Sequence, residues 1–341
     1  MTILSSWLSW EYVVGTGKVA RGDHVVLGAD IGGTSSRVVV ADRDGEVLAR
    51  GVAGGGNPVS APDSAGDAFG EALRVALGRV DPGRVRSAVI GIAGGSALRD
   101  PRVRATFDRA WTGAGLTCTP DYRSDLEVAF AAGTGAVAGV ISGHRLGHTV
   151  DGHGWLVGDD GSGFWLGREA VRATLRSLEQ AGEEPGVLVR SVLQQLDVHG
   201  EAAGEGEGQA AQASVIHAVH SRPPVRLADL APLVSVAHDQ GDPAAVRIVD
   251  EAARRLADTL GRLPATYPTG PIVLAGSLTR PESPVGVTLR GLLAAGQPQT
   301  EPVTARDEVI GAVWLALLAA GPVVATARVR ARLVADGVTT S

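Results

Sequence analysis

A glycine-rich segment at residues 147–168 contains the residues whose types and spacing best suit chemistry. It holds seven glycines, three aspartates, two histidines and two tryptophans. Because glycine loses more backbone entropy on folding than any other residue, so many glycines indicate sharp bends or close approach to a ligand. Polar side chains among aromatic rings suit a small polar ligand such as a sugar. The segment therefore predicts a binding site for a small polar molecule.

Two glycine turns elsewhere could bind phosphate. The first, residues 30–34, lies between two predicted strands, and the second, residues 133–135, has the matching place in a second strand series. Backbone N–H groups of such turns can point at a phosphate, and a nearby carboxylate can hold hydrated Mg²⁺. An ordinary hairpin turn is the alternative for the first turn alone, but the second turn favours a two-sided phosphate site. The predicted phosphate ligands are Gly32, Gly33, Thr34, Gly133, Thr134 and Gly135, with Asp30 as the metal ligand.

Asp125 is the candidate general base. It follows Ser124 at the end of a short predicted strand, just upstream of the second glycine turn. A carboxylate there could accept the proton of an attacking hydroxyl during phosphoryl transfer. The alternative is a helix N-cap, which Ser and Asp both favour. The position of Asp125 between the two glycine turns favours the base.

Three further residues each keep two interpretations. Asn57 lies in a glycine-rich loop before a proline, where it would bind sugar hydroxyls or serve as a turn residue. Gly276 and Ser277 follow a predicted strand at 271–275. The missing side chain of the glycine would admit a nucleotide base or ribose, and a plain strand-to-loop glycine is the alternative.

These candidates need a scaffold, and the hydrophobic pattern predicts an α/β fold. Strands are predicted at residues 25–30, 37–41, 46–51, 87–92 and 122–126, with helices at 65–79 and 103–114. Strands at 136–141 and 145–150 repeat the opening pattern. The repeat predicts two similar lobes facing one another across a cleft. The predicted domains are an extension at 1–24, an N-terminal lobe at 25–122 plus 306–341, and a C-terminal lobe at 123–305.

The chain after the glycine-rich segment is predicted to be mainly helical. The predicted helices are 169–180, 186–196, 227–238, 243–263, 284–294 and 307–320. Residues 200–212 are rich in Gly, Glu, Ala and Gln, which favours a solvated loop.

Composition excludes several classes of function. The net charge is −6 and the sequence has no basic block, which argues against nucleic acid or an anionic membrane as the main partner. The single cysteine, Cys118, excludes an intrachain disulfide and a cysteine-ligated cluster and favours a cytoplasmic, reducing location. No apolar run is long enough to span a membrane, and no basic region precedes the apolar residues of the extension, so we expect no signal peptide. The lysine-containing P-loop is absent, and His148 and His153 lack zinc-site spacing.

Taken together and in this order, the motifs resemble those of the BadF/BadG/BcrA/BcrD-type ATPase family, from about Val25 to Leu318. Within it they resemble the N-acetylglucosamine and glucosamine kinases, including those of actinobacteria. The resemblance implies a ribonuclease H-like, actin-like ATPase fold that binds ATP with Mg²⁺ across the two glycine turns. It also implies that Asp125 is the catalytic aspartate and that Gly276 and Ser277 contact adenosine. The implied sugar ligands are Asn57, Asp125, Asp151, His153, Gly154, Asp159 and Asp160.

Departures from the family pattern sharpen the expected substrate. Family members that activate acyl-CoA dehydratases carry cluster-binding cysteines, which this chain lacks. Asp151 begins the stretch that replaces the family's Gly-Gly-aromatic-Gly, Asp160 replaces a glutamate, and Ala136 follows the second glycine turn where a serine is usual. An added carboxylate favours a cationic amine over an acetamide, so we predict D-glucosamine, phosphorylated at its 6-hydroxyl, with Asp151 or Asp160 near the ammonium. The alternative is that Asp151 only caps the turn.

Rival functions remain open at this point. An N-acetylglucosamine kinase or a glucokinase would use the same motifs. A non-catalytic nucleotide or sugar sensor would need an output module, and residues 1–24 are too short and not basic enough to provide one. The expected partners are a small-molecule amino sugar and ATP, and the sequence leaves open whether the chain is a monomer or a homodimer.

Overall fold

The computed structural model describes residues 24–125, 135–180, 184–198, 207–264, 271–296, 301–305, 307, 309–321 and 327–336. The chain divides into two compact units. Unit 1 comprises Met1–Val128 and Asp307–Ser341, and unit 2 comprises Ala129–Arg306. The predicted lobes divide the chain after residue 122 and before residue 306, so the first boundary lies a few residues later in the structure.

The strands and helices are as follows. The strands are β1 Val25–Ile31, β2 Ser35–Asp42, β3 Val47–Gly54, β4 Val85–Ile92, β5 Asp121–Ser124, β6 Val137–Ser142, β7 Arg145–Asp151, β8 Val273–Leu274 and β9 Val303–Thr304. The α-helices are α1 Ala65–Leu77, α2 Pro101–Gly113, α3 Gly163–Glu179, α4 Val187–Gln195, α5 Glu207–His220, α6 Ala231–Asp239, α7 Pro243–Gly261, α8 Pro284–Gly296, α9 Val309–Ala319 and α10 Ala327–Asp336. Short 3-10 helices occur at Pro82–Arg84, Gly95–Arg99, Pro224–Leu230 and Ser277–Thr279.

Unit 1 is built on a five-stranded sheet in the order β3-β2-β1-β4-β5. The pairs β1–β2 and β2–β3 are antiparallel, whereas β4 runs parallel to β1 and β5 runs parallel to β4. Strands β1, β3, β4 and β5 therefore all end at one edge of the sheet. Loops that follow parallel strands gather at this edge, which is where open α/β sheets bind ligands.

Both faces of this sheet are covered, so its central strands are continuous apolar runs. Leu27 and Ile90 pack with Phe69 of α1 and Phe107 of α2 on one face. Alternate strand residues pack with α9 and α10 on the other face. Gly28 is required at the second face, because a Cβ there would collide with the backbone of α9 at residue 313.

Unit 2 has a mainly helical core. Its buried side chains come chiefly from helices α3 to α8. The described sheets of this unit are the antiparallel pair β6–β7 and the parallel pair β8–β9. Among the described residues, no helix combines the length and the apolar character that crossing a membrane requires.

Most of the predicted elements are confirmed, with ends that move by a few residues. The solvated loop predicted at 200–212 is wrong from residue 207 onward, where α5 begins. This helix buries Ala211 and Val215, and its Ala and Gln residues are good helix formers. The helix predicted at 227–238 is a 3-10 helix followed by α6, and α10 was not predicted.

Candidate functional site

The predicted site residues fall into both units. Unit 1 contains Asp30, Gly32, Gly33, Thr34, Asn57 and Asp125, and unit 2 contains Gly135, Asp151, His153, Gly154, Asp159, Asp160, Gly276 and Ser277. Gly133 and Thr134 lie outside the described residues.

In unit 1, the structure gathers the predicted residues at the edge where the parallel strands end. The first glycine turn directly follows β1, and the loop containing Asn57 follows β3. These two segments are joined by a hydrogen bond from the N–H of Gly56 to the carbonyl of Gly32, at 3.0 Å. Asp125 directly follows β5. Residues that are distant in sequence thus share one edge of the sheet.

The first glycine turn is a tight hairpin. The N–H of Gly32 donates to the carbonyl of Ser35 at 2.9 Å. The loop after β3 packs so closely on this turn that a Cβ on Gly55 would collide with the carbonyl of Gly33. Thr34 is exposed at the tip of the turn. The turn therefore has the close backbone packing and the exposed hydroxyl that a phosphate ligand could use.

Asp30 and Asn57 border this turn with their side-chain oxygens engaged locally. Asp30 lies 3.9 Å from Arg37 across the β1–β2 pair, and its side chain is 14% exposed. The Oδ1 of Asn57 accepts the N–H of Val59 at 2.8 Å, which is the turn geometry named above as its alternative. Gly94, with φ +71°, permits the close approach of Asn57, because a Cβ there would lie 2.7 Å from Asn57 Oδ1.

Asp125 is oriented by its neighbour. The Oγ of Ser124 donates to Asp125 Oδ1 at 3.1 Å, and Ser124 pairs with Ile92 in the parallel register. Asp125 is partly buried. Residues 126–134 lie outside the described part of the chain, so the general base and the N-cap both stay predictions for Asp125.

Tyr122, three residues before Asp125, packs β5 onto α2. Its ring makes an edge-to-face contact with Phe107 at 6.3 Å and lies under the guanidinium of Arg104 at 4.6 Å. Burial raises the pKa of Tyr122 to about 12, while Arg104 lowers this pKa and Asp108 raises it. Burial also raises the pKa of Cys118.

In unit 2, the glycine-rich segment forms the loop between β7 and α3. Asp151 has φ +65° and Asp159 has φ +59°, which is a backbone region that aspartate tolerates better than most residues. The carboxylate of Asp151 accepts the N–H of Asp159 at 2.9 Å through Oδ1 and the N–H of Asp160 at 3.2 Å through Oδ2. This is the capping geometry named above as the alternative for Asp151; contact with an ammonium stays a prediction.

Asp159 is bound to the start of β6. Its side chain is buried, and its Oδ1 accepts the N–H of Ala136 at 3.2 Å. A Cβ on Gly135 would lie 2.9 Å from Asp159 Oδ2. Close approach of a carboxylate therefore explains the glycine at 135, the last residue of the second glycine turn.

Asp160 forms an ion pair that the sequence did not predict. Its Oδ1 lies 3.3 Å from Nη1 of Arg255 on α7. Arg255 also donates from Nε to Glu251 at 2.9 Å and lies 5.2 Å from the centre of the Trp165 ring. Glu251 and Arg255 have the i, i+4 spacing of a helical ion pair. This spacing is the feature of the sequence that could have pointed to Arg255.

The middle of the same loop holds His153 and Gly154. Gly154 has φ +83°, and its carbonyl accepts the N–H of Gly158 at 2.9 Å. The side chain of His153 lies close to Gly158. Ser162 then starts α3, because its Oγ accepts the N–H of Trp165 at 3.2 Å.

Gly276 and Ser277 form the turn after β8. Gly276 has φ +91°, so a glycine is required there. Arg290 of α8 supports this turn, since its Nη2 donates to the carbonyl of Thr279 at 3.0 Å and to Oγ1 of Thr304 at 2.7 Å. The sequence analysis did not identify Arg290. The feature that could have pointed to it is that it carries the single charge of helix α8.

The fold and these motifs define an actin-like ATPase architecture, and structural comparison supports this class. A protein from Chromobacterium violaceum, named provisionally as an N-acetylglucosamine kinase, aligns with TM-score 0.63 and 21% identity over 86% of this chain and 99% of its own. A ROK family glucokinase from Streptomyces griseus, solved with glucose and AMPPNP, aligns with TM-score 0.52 and 21% identity over 86% of this chain and 99% of its own.

The family is shown by sequence. The BadF/BadG/BcrA/BcrD ATPase family model matches residues 27–316, so the chain belongs to this family. An N-acetylmuramic acid/N-acetylglucosamine kinase from Clostridium acetobutylicum is 25% identical over 248 residues, which cover 68% of this chain and 76% of the relative.

Proposed function

We propose that this protein is a sugar kinase that transfers the γ-phosphoryl group of ATP to the 6-hydroxyl of D-glucosamine. The observation that carries the proposal is the shared sheet edge in unit 1, where the first glycine turn and Asp125 follow parallel strands. Membership of an ATPase family supports the use of ATP. The relative from Clostridium acetobutylicum is by name a kinase of N-acetylmuramic acid and N-acetylglucosamine, which supports a sugar with a substituted nitrogen at position 2, while the choice of a free amine rests on the acidic residues of this chain.

Each unit 1 residue has a distinct role in the proposed reaction. Asp125, oriented by Ser124, accepts the proton of the 6-hydroxyl as the new oxygen–phosphorus bond forms and the bond to ADP breaks. Gly33 and Thr34 of the first glycine turn bind phosphate oxygens, whereas the N–H of Gly32 is engaged by the carbonyl of Ser35. The carboxylate of Asp30 and the phosphates suit a largely hydrated Mg²⁺. When bound, this ion neutralises phosphate charge.

The acidity of the glycine-rich segment favours an amine as the substrate group. Within the cluster of Asp151, Asp159, Asp160, Glu251 and Arg255, carboxylates outnumber guanidinium groups. Asp160 pairs with Arg255 but is still 47% exposed, so a ligand can reach its carboxylate. A protonated 2-amino group would gain a charge-assisted interaction there. Glucose and N-acetylglucosamine carry no such charge.

A sugar panel with ATP and Mg²⁺, followed by ADP release, tests the proposal. We expect the highest kcat/KM with glucosamine, and the product should be glucosamine 6-phosphate by mass spectrometry. If glucose or N-acetylglucosamine is the better substrate, the kinase is retained and the preference for an amine is overturned. If no sugar in the panel is phosphorylated by a protein that binds ATP, the kinase proposal itself is overturned.

The role of Asp125 is tested by substitution. We expect Asp125→Asn and Asp125→Ala to lower kcat by about 10²–10⁴-fold, the usual contribution of a general base. Binding of ATP, measured by calorimetry, should be retained. Asp67→Asn, an exposed aspartate on α1, is the matched control and should leave kcat unchanged. Full turnover by either Asp125 variant would contradict the assignment.

A further inference from the structure

We infer that Asp151 is a positioning residue that holds Asp159 and Asp160 in place and does not itself contact the substrate. The inference rests on the proposed function, because it assigns a role within the proposed sugar-binding loop. We call the two hydrogen bonds from the Asp151 carboxylate to the N–H groups of Asp159 and Asp160 the Asp151 clamp. Each carboxylate oxygen of Asp151 takes part in one of them, at 2.9 and 3.2 Å.

The backbone at Asp151 lies in a region that costs an aspartate less than most residues but more than glycine. Asp151 has φ +65°, in the left-handed region where glycine would be the unstrained choice. Any other residue at such a position is held there only when its surroundings compensate. The Asp151 clamp provides the compensation, since hydrogen bonds to an ionised acceptor are stronger than those between neutral groups.

The Asp151 clamp is continuous with the start of β6. The N–H of Asp159 is one of the two donors of the clamp. The carboxylate of Asp159 in turn accepts the N–H of Ala136 at 3.2 Å. The carbonyl of Ala136 in turn accepts the N–H of Gly152, directly after Asp151, at 3.1 Å. Both ends of the loop are therefore tied to Ala136, which follows Gly135 of the second glycine turn. Loss of the clamp should loosen the backbone that carries the buried carboxylate of Asp159.

Gly158 provides independent evidence that the loop is shaped around the clamp. A Cβ at this position would collide with Asp151 Oδ1 and would lie 2.9 Å from Cβ of His153. The loop therefore has space for the Asp151 carboxylate only while residue 158 lacks a side chain. Gly158→Ala should displace the carboxylate without removing its charge.

Four variants separate the contribution of the carboxylate from that of the backbone. Asp151→Gly removes the carboxylate and relieves the backbone strain, Asp151→Ala removes the carboxylate and keeps the strain, and Asp151→Asn keeps one acceptor oxygen. Gly158→Ala displaces the carboxylate. Asp197→Ala is the matched control, because Asp197 has φ +57° in another part of unit 2. It reports the effect of an alanine at positive φ outside the glycine-rich segment.

The first measurement is amide hydrogen exchange at residues 159 and 160 without any substrate. We expect about tenfold or faster exchange in Asp151→Ala, Asp151→Gly and Gly158→Ala, since each loses one or both hydrogen bonds to an ionised group. Asp151→Asn should lie between these variants and the unsubstituted protein, and Asp197→Ala should match the latter. Unchanged exchange in Asp151→Gly would overturn the clamp whether or not the protein phosphorylates sugars.

The second measurement is kcat/KM for glucosamine and for glucose. A positioning role predicts a loss for both sugars in Asp151→Gly and Asp151→Ala, larger for glucosamine because Asp160 is displaced with Asp159, and partial rescue in Asp151→Asn. Gly158→Ala should lower kcat/KM in the same way as Asp151→Ala, although it keeps the negative charge of the Asp151 carboxylate. If Asp151 instead contacts the ammonium, kcat/KM for glucose will stay unchanged in all three Asp151 variants while that for glucosamine falls, and Asp151→Asn will show no rescue. Faster exchange in a protein that phosphorylates no sugar would retain the clamp and overturn the proposed function.

Discussion

The three aspartates of the glycine-rich segment are one residue type in three environments. Asp151 accepts two backbone N–H groups, Asp159 is buried against the start of β6, and Asp160 pairs with Arg255 while remaining half exposed. Their chemistry differs because their partners differ. The same holds in unit 1, where Asp30 faces Arg37 and Asp125 receives a hydrogen bond from Ser124. Roles at this scale follow from contacts and exposure.

Tyr122 gives a prediction about pH. Burial raises the pKa of Tyr122 to about 12, above its ordinary value of about 10. The protonated form is therefore favoured in the folded state. Its contribution to stability is fully present below about pH 10 and is lost as the pH rises through about 12. Tyr122→Phe cannot ionise, so it should not show this loss.

The measurement is the free energy of unfolding in urea, from pH 8 up to the highest pH at which the parent protein stays folded, for the parent and for Tyr122→Phe. At pH 8, Tyr122→Phe should be as stable as the parent, because the Tyr122 hydroxyl is buried and lacks a hydrogen-bond partner among the described residues. As the pH rises, the free energy of unfolding of the parent should fall relative to that of Tyr122→Phe. Parallel curves would show that Tyr122 does not ionise at a raised pKa.

Helix ends determine much of the architecture at the scale of elements. Asp242 begins α7, where its Oδ1 accepts the N–H groups of Ala244 at 2.9 Å and Ala245 at 3.1 Å. Its Oδ2 also accepts the N–H of Leu188 in the first turn of α4, at 3.0 Å. A single buried carboxylate thus satisfies the N-termini of two helices. This arrangement aligns α4 and α7, and α7 carries Arg255.

Substitution of Asp242 should destabilise unit 2. Asp242→Ala loses a helix cap, worth about 0.5–2 kcal/mol, and leaves the buried N–H of Leu188 without its acceptor, a cost of about 1–3 kcal/mol. Asp242→Asn should lose less, because it keeps an oxygen that can cap α7. The exposed cap Asp100 of α2, whose carboxylate accepts the N–H of Arg102 within its own helix, is the matched control. Urea unfolding should show a clearly smaller loss for Asp100→Ala, and equal losses would contradict the two-helix role.

At the scale of the whole molecule, unit 1 is assembled from the two ends of the described chain. Helix α9 packs on the face of the sheet opposite α1 and α2, although unit 2 separates it in sequence from β1 to β5. Arg50 of β3 binds Asp307 at 2.7 Å, just before this helix. The edge that carries the first glycine turn and Asp125 therefore depends on residues that follow unit 2.

Val313→Ala tests this dependence. Val313 is 0% exposed and packs against the sheet at Gly28, so its truncation should cost about 1–3 kcal/mol through lost burial and an internal cavity. Hydrogen exchange with mass spectrometry should show faster exchange in peptides from β1, β2 and β4. Val287→Ala on α8, where Val287 is 57% exposed, is the control and should leave these peptides unchanged. Faster exchange confined to α9 would argue against a shared core.

Much of the scaffold was predictable because its signals are local. The apolar run at β1, the turn residues at 42–45 and the glycine turn at 32–34 act through neighbours within a few residues. The missed elements had weak local signals. Helix α5 has little apolar periodicity, so its residues 207–212 read as a loop in the sequence, and α10 is rich in arginine. These two helices are recognised from their packing against other elements in the structure and not from the hydrophobic pattern of their own sequences.

The sequence alone determined the family, the order of the motifs and most strands and helices, because turn chemistry and hydrophobic periodicity are properties of short stretches. It did not determine which partner each polar side chain takes. Asp160 could have faced a ligand alone, yet it pairs with Arg255, and Asp151 binds backbone N–H groups across its own loop. Such choices depend on which groups folding brings within hydrogen-bond distance, and a buried polar group binds whichever partner is there. Only the tertiary structure therefore distinguished Asp151, whose carboxylate binds the backbone of its own loop, from Asp160, whose carboxylate remains exposed.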